Sequence, residues 1–407
     1  MKIASYEVYE LGEKASNESG AGGAAAWAAK TVVLKLVTEN GLVGYGESVP
    51  TLRVLPVIES LKEVARAYVG RDPENFEANQ TEWRKQDFYL PMSFESTTAL
   101  SAFDIACWDL VGKQYGAPIH KLIGGKTRDK VRVYANGWYD DCVTPEDFAR
   151  KAKDNVRRGY TGLKYDIFGA YYDWIDEKGI RAAIERLRAV KESADEISRE
   201  GKVEHMIEHH GRFDPNPAIM IGKAIEREGF NPLFMEEPVH PEDMDGLAKY
   251  RRRVGLKVAL GERLLTTQEV AFVCRNHLAD FLQVDITNFR GVTGALKAAA
   301  IAQAYGVEMA FHNAFGTIQN AVTIQVDASI QNFLIQESYY DFFPQWKRDL
   351  VNDQSKVQQG YTIIPDKPGI GVDVNENVLD SHRVEGMESF NSEVPPWPIK
   401  GTWKNFM

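Results

Sequence analysis

VEHMIEHHGRF, residues 203–213, begins as a short apolar run and ends that run on Glu208. It then crowds two imidazoles, a glycine and an arginine into a single turn. Seven other runs share the form: VRVYAN (131–136), GLKYD (162–166), LFMEE (233–237), KVALGE (257–262), DFLQVD (280–285), VEMAFH (307–312) and NFLIQE (332–337). Each has the length of a buried strand and closes on a polar or charged residue. Amphipathic segments with helical spacing, such as PEDFARKAKDNVRRG (145–159) and TGALKAAAIAQAYG (293–306), separate most of them. Strands alternating with helices imply βαβ units and a parallel sheet. Eight such units imply an α/β fold of the closed (β/α)8 type, with an irregular last repeat allowed for. From Glu208 the run ends fall at 208, 236, 262, 285 and 312, in steps of 28, 26, 23 and 27 residues. Each step holds one strand, one helix and two loops. A doubly wound open sheet is the alternative, but the first βα turn has no phosphate-binding glycine fingerprint.

The flanks read differently. Residues 1 to about 48 alternate like strands around the turn signal Glu39-Asn40-Gly41, and residues 56–115 turn helical, closing on Gly116 with Pro118 beyond. The stretch SNESGAGGAAAWAA (16–29) is too rich in small residues to pack tightly, and the Pro- and Trp-rich end of the chain has no barrel rhythm. The expected organisation is a capping unit over residues 1–128, a barrel over 129–370 and a tail, 371–407, that returns to the cap.

With 58 acidic against 48 basic residues the net charge is −10, which argues against a nucleic-acid binder. Cys107, Cys142 and Cys274 are too sparse for a disulfide framework. The charged start MKIASYEVYELGEK lacks a signal peptide's apolar core, and no run reaches the roughly 18 apolar residues of a membrane helix. The expectation is a cytoplasmic protein with no membrane partner.

In a barrel of this type chemistry gathers at the C-terminal ends of the strands. The groups found there are Lys164, Asp166, Glu208, His210, Glu236, Glu237, Glu262, Asp285, His312 and Glu337. Glu208, Glu236 and Glu262 end three consecutive strands. Converging carboxylates repel unless a cation joins them, and oxygen-only ligands favour a hard ion, Mg2+ rather than Zn2+. Strand alternation puts Glu208 and His210 on one face, if extended geometry continues that far, and turns His209 away as a structural histidine. The same rule separates Glu236 from Glu237 without choosing between them. Asp285 beside His312 has the form of a base with its orienting carboxylate. Lys164 and Asp166, two apart, are expected on one face. Lys164 is read against a substrate oxygen or in a salt bridge to Asp166, and Glu337 as a donor or acceptor to substrate.

The sequence resembles the enolase superfamily, mandelate racemase subgroup, over nearly its whole length. The resemblance rests on ALSAFDIACWDLVGKQYGAPIHKLIGG (99–125), IEHHGR, FMEEP, LGER, VDITNFRGVTG (284–294), AFHNAFG (310–316) and PDKPGIGV (365–372). Within the subgroup HGRF, KQDFYL and FPQWKRDL make it similar to the archaeal sugar-acid dehydratases. This implies a modified (β/α)8 TIM barrel under an α+β capping domain built from both termini. It implies Mg2+ held by Glu208, Glu236 and Glu262, with Glu236 chosen over Glu237, and a base pair of His312 with Asp285. His210 becomes the general acid, and Lys164 the first lysine of a Lys-x-Lys motif whose second position is here Asp166. That departure removes the second-lysine base of racemases and favours dehydration. Lys164, Glu337, Arg212 and Asp166 are expected on the substrate, a small aldonic acid, with D-gluconate first and D-galactonate beside it. Homo-oligomers from dimer to octamer are also implied.

On that reading His312 removes the proton at C2 and His210 protonates the departing 3-hydroxyl, giving a 2-keto-3-deoxy sugar acid. Trp27, in the small-residue stretch, and the segment Trp83–Tyr89 are expected to close over the polyol tail. The competing readings are a racemase or epimerase of a 2-hydroxy acid, a dehydratase of another aldonic acid, and a non-catalytic sugar-acid-binding barrel.

Overall fold

In the computed structural model the described residues are 1–12, 30–48, 54–86, 88–89, 92–198, 203–352 and 356–384. The chain starts with a three-stranded antiparallel meander, β1 (Ile3–Gly12), β2 (Lys30–Thr38) and β3 (Val43–Ser48). The β2–β3 turn is the predicted Asn40-Gly41 turn, with Gly41 at φ +82°, where a side chain would be strained. Three helices follow, α1 (Val54–Tyr68), α2 (Phe76–Gln86) and α3 (Phe94–Gln114). Most of α3 is buried, because it lies on β3 on one side and faces the barrel on the other. Gly44 and Gly46 make that approach possible: a Cβ on Gly46 would stand 1.8 Å from the Ala102 carbonyl oxygen. A one-turn helix, α4 (Ile119–Leu122), leads out of this unit.

The barrel then runs β4 (Lys130–Ala135), α5 (Pro145–Arg157), β5 (Gly162–Tyr165), α6 (Glu177–Ile197), β6 (Glu204–Glu208), α7 (Pro215–Arg227) and β7 (Phe234–Glu236). It continues through α8 (Met244–Arg253), β8 (Val258–Leu260), α9 (Thr267–Arg275), β9 (Phe281–Leu282), α10 (Gly291–Ala304), β10 (Glu308–Met309), α11 (Thr317–Asp327) and β11 (Gln336–Ser338). Two of the barrel's helix starts are chemically marked. Thr144 and Asp147 form a reciprocal cap on α5 with Pro145 at its first position, and Thr266 with Glu269 does the same for α9.

β4 to β10 pair in parallel in chain order, and β11 pairs in parallel with β4. A parallel bridge between Met309 and Phe333 joins the two ends, so the eight strands close into a ring. The eighth helix is replaced by a single 3-10 turn at Tyr340–Phe342 and the short α12 (Gln345–Arg348). β12 (Tyr361–Ile363) then adds antiparallel to β4. This is the expected α/β barrel with its last repeat modified.

The barrel interior is filled by Tyr134, Met206, Phe234, Ala259, Phe281, Ala310 and Ile335, which come from seven different strand positions. Each buried ring or branched chain contributes roughly 1.5–3 kcal/mol over its exposed state. This apolar plug is a floor, and the polar strand ends stand above it.

The described part of the tail, to residue 384, meets the cap. Helix α13 (Glu376–Ser381) sets Glu376 against Lys35 and Tyr45. Arg383 pairs with Leu11 in an antiparallel bridge, and Val384 N–H donates to Glu10 O at 2.9 Å. Trp27 lies outside the described residues. In the other proposed lid segment Trp83 packs on the cap core, while the rings of Phe88 and Tyr89 lie tilted against one another with centroids 4.4 Å apart, 71% and 85% exposed. Among the described residues no helix is long and apolar enough to cross a membrane.

Candidate active site

Strand register alone brings the acidic ends together: Glu208 on β6 is the Cα partner of Glu236 on β7. Asp285 and His312 form a parallel bridge three residue pairs beyond the regular ladder of β9 and β10. Lys164, from β5, is 1% exposed and sits between three carboxylates. Its Nζ lies 2.9 Å from Glu208 Oε2, 2.8 Å from Glu236 Oε1 and 2.6 Å from Glu337 Oε1. Burial opposes its charge, but the three acids together hold it well above the usual lysine range. The alternative reading of Lys164, an ion pair with Asp166, is not what the structure has; the lysine is turned toward the glutamates.

Glu236 also accepts from Gln283 Nε2 at 2.7 Å. Its carboxyl is pushed well up by burial and by the negative charge of Glu208. Glu208, although buried, is held below the carboxylate range by His210 and Lys164. Glu237 takes a left-handed φ of +39° and turns to Arg263, 3.2 Å away. Glu262 reaches His312 Nε2 at 3.1 Å and Arg263 at 3.3 Å.

A set of oxygen donors on adjacent strands, one of them forced up by its neighbour's charge, fits a hard divalent cation that would relieve that repulsion. Glu208, Glu236 and Glu262 are the residues that fit. With side chains as they stand, Glu208 and Glu236 share the Lys164 ammonium while Glu262 leans on the imidazole. Among the described residues the set of three ligand atoms lying within 4.8 Å of one another is a different one, Asp173, Asp214 and His240. Its two aspartates are exposed, and His240 lies 3.0 Å from Asp173.

His312 Nδ1 lies 2.6 Å from Asp285 Oδ2. A carboxylate only accepts, so Nδ1 carries the proton, and Nε2 faces Glu262. Burial works against the imidazolium, but Glu262, Glu337 and Asp285 lift His312 to about 10. Asp285 is itself fixed by Thr287, whose N–H and Oγ1 donate at 2.7 and 2.6 Å. Glu337, fully buried, accepts from Asn136 Nδ2 and from the Asn313 N–H, each at 2.7 Å.

The strand does not continue to His210 as the alternation argument supposed. β6 stops at Glu208 and His210 is left-handed at φ +55°, yet its N–H folds back to Glu208 Oε1 at 2.6 Å. Its Nδ1 lies 3.1 Å from Asp166 Oδ2. Asp166 in turn is gripped by Arg212, Nη1 to Oδ2 at 2.5 Å and Nη2 to Oδ1 at 2.9 Å. Asp166 and Arg212 are 3% and 1% exposed. Both were expected on the substrate; here each is committed to the other and to His210. His209 is fully buried against Phe168 and Phe213, and burial takes its imidazole down to about 4, as suits a structural histidine. Sequence reasoning passed over Gln283 and Asn136, which hold Glu236 and Glu337. Each belongs to a run already marked as a strand, and only register reveals the contact.

A closed barrel with acids at three consecutive strand ends, a His–Asp pair at the sixth and seventh, and a two-ended cap defines an enolase-type protein. Two family models agree: residues 147–378 match the enolase C-terminal domain-like family and residues 23–124 the mandelate racemase/muconate lactonizing enzyme N-terminal domain. The chain belongs to the enolase superfamily. It is 46% identical over 380 residues to a D-gluconate dehydratase of Thermoproteus tenax, covering 93% of this chain and 75% of that one. It is 42% identical over 402 residues to a D-gluconate/D-galactonate dehydratase of Picrophilus torridus, covering 99% of each. Among solved structures, a mandelate racemase/muconate lactonizing enzyme from Sulfitobacter superposes with a TM-score of 0.84 at 30% identity, covering 95% of this chain and 96% of that one.

Proposed function

We propose that this chain is a hydro-lyase that dehydrates an aldonic acid, D-gluconate and with it D-galactonate, to the 2-keto-3-deoxy sugar acid. The observation that carries the reading is a pair of histidines, each joined through Nδ1 to a buried aspartate: His312 to Asp285 and His210 to Asp166. Each aspartate fixes one tautomer and leaves Nε2 as the working nitrogen. Such a pair suits a reaction that takes one proton and gives another. His312 Nε2, in the neutral form of the ring, removes the proton at C2. His210 protonates the 3-hydroxyl as its bond to carbon breaks and water leaves. The enol left behind tautomerises to the ketone. Lys164 supplies a fixed positive charge against the substrate carboxylate, whose negative charge grows as C2 loses its proton.

Glu208, Glu236 and Glu262 would hold Mg2+, which when bound supplies Lewis-acid stabilisation of that same charge. Asp166 at the second Lys-x-Lys position supports dehydration over racemisation, since it serves His210 and offers no second lysine base. The high identity to relatives named for gluconate and galactonate supports the substrate class.

The test is incubation of the purified protein with Mg2+ and a panel of aldonic acids, followed by a colour assay for 2-keto-3-deoxy acids. Gluconate and galactonate are expected to score. Deuterium exchange at C2 with inversion and no loss of water would mark an epimerase instead. A blank panel with measurable binding would mark a sugar-acid-binding barrel.

A further inference from the structure

We propose that Gln319 is a positioning residue for the Asp285–His312 pair, and that Glu47 of the capping sheet sets Gln319 in place. The seating of the cap on the barrel and the aim of the base are then one structure. The inference rests on the reading of His312 as the base.

Gln319, in the first turn of α11, is fully buried, and every polar atom of it is directed. Its Oε1 accepts the N–H groups of Phe315 and Gly316 at 2.8 and 3.1 Å. Those two donors settle which end of the amide is nitrogen. Nε2 therefore donates to Asp285 Oδ2 at 2.8 Å, the same oxygen that holds His312 Nδ1. Nε2 also lies 3.4 Å from His312 O. The backbone N–H of Gln319 donates in turn to Glu47 Oε2 at 2.8 Å, and Thr31 Oγ1 donates to Glu47 Oε1 at 2.5 Å.

Glu47 is fully buried at the end of β3, and burial pushes its carboxyl up, with the Lys347 ammonium as the main opposing charge. Gly316 makes the approach possible. A Cβ there would stand 1.9 Å from Glu47 Oε1, so the glycine of AFHNAFG is required by this carboxylate and not by its backbone angles. The cap makes a second contact on the far side of the dyad, where Thr98 Oγ1 on α3 donates to Thr287 O at 2.8 Å. Thr287 is the residue that fixes the other oxygen of Asp285. If Glu47 only capped α11, the Gln319 side chain would have no need to reach Asp285.

The test compares wild type with Gln319→Met, which keeps length and removes the amide, and Glu47→Gln, which keeps shape and one acceptor. With C2-deuterated substrate, Gln319→Met is expected to lower kcat about tenfold with KM changed less than about twofold. The primary isotope effect should rise, because proton removal becomes slower while later steps do not. Glu47→Gln is expected to show the same rise with a smaller loss of kcat, and it decides the matter if Gln319→Met fails to fold. A variant that folds but keeps wild-type kcat and isotope effect overturns the proposal. So does a fall in kcat with an unmoved isotope effect.

A substrate-free readout separates this from the proposed function. The Nδ1–H proton resonance of His312, assigned by its loss in His312→Asn, should shift in Gln319→Met. Should the wild type dehydrate no aldonic acid, the proposed function falls while this resonance still judges the contact; an unshifted resonance sinks it.

Discussion

Replacing Arg212 by methionine removes the guanidinium and keeps most of the side-chain volume. The wild-type group is 1% exposed and makes two charged hydrogen bonds to Asp166, with a third from Nε to Tyr171 O at 2.9 Å. In the variant Asp166 keeps the Phe168 N–H at 2.9 Å and the His210 ring, with Arg186 the remaining cation whose charge acts on it. Breaking a buried pair from one side costs about 3–5 kcal/mol, and two charged hydrogen bonds at about 1.5–3 kcal/mol each reach the same range. A sizeable drop in the urea midpoint is expected at pH 7, with kcat falling as well because His210 loses the anchor of its carboxylate. Burial alone would raise the Asp166 carboxyl, but Arg212 and His210 hold it far below the usual range. A depressed folded value means stability that is complete above the unfolded value of about 3.9 and is lost as pH falls through and below it. The gap between wild type and variant should therefore be widest near neutrality and close in acid. Urea unfolding followed by circular dichroism, in steps from pH 7 to about pH 3, measures both. Equal midpoints at pH 7, or a gap that stays constant into acid, would refute the reasoning.

His312→Asn should lower kcat by at least about a hundredfold while calorimetric substrate binding persists, since the base is lost and the binding groups remain. Gly137 has φ +88°, and a Cβ there would lie 2.2 Å from the Tyr339 ring, so Gly137→Ala should cost at least about 2 kcal/mol in a urea titration. Asp104, buried where α3 meets the start of α10, is pushed up to about 7 by burial against hydrogen bonds from Thr293 and Gln80. Between about pH 4 and 7 the folded state thus holds a proton that the unfolded chain releases, and stability should fall with rising pH across that window. Asp104→Asn should flatten the slope of unfolding free energy against pH. An unchanged slope would contradict the assignment.

The barrel was legible because its strands are buried on both faces and read as continuous apolar runs. The acid or histidine closing each run marked the end that faces the chemistry. NFLIQE located its strand less well: the ladder with β4 spans Gln336–Ser338, and the first part of the run makes the closing bridge at Phe333. The site's ligand-type residues were legible one strand at a time. Their partners were not. Arg212 meets Asp166 across 46 residues, and Gln319 meets Asp285 across 34, through loop geometry that no periodicity encodes. His210 shows the limit of alternation, which holds only while the strand does; a left-handed residue after Glu208 re-aims the ring. Lys164 had one nearby acid in sequence and meets three distant ones instead, brought to it by β6, β7 and β11.

The bridge between Leu11 and Arg383 ties two segments that lie far apart in the sequence. During synthesis the first sheet leaves the ribosome hundreds of residues before the segment that borders it. Tyr9, Leu11, Val33 and Tyr45 belong to the same apolar cluster as Val372 and Leu379 from that late segment. The nascent chain must carry this incomplete surface until residues 372–379 have been made. Removing the last helix should therefore harm folding yield in the cell more than a cut of equal size at an ordinary chain end, and overexpression should draw on chaperones that shield apolar sheet faces.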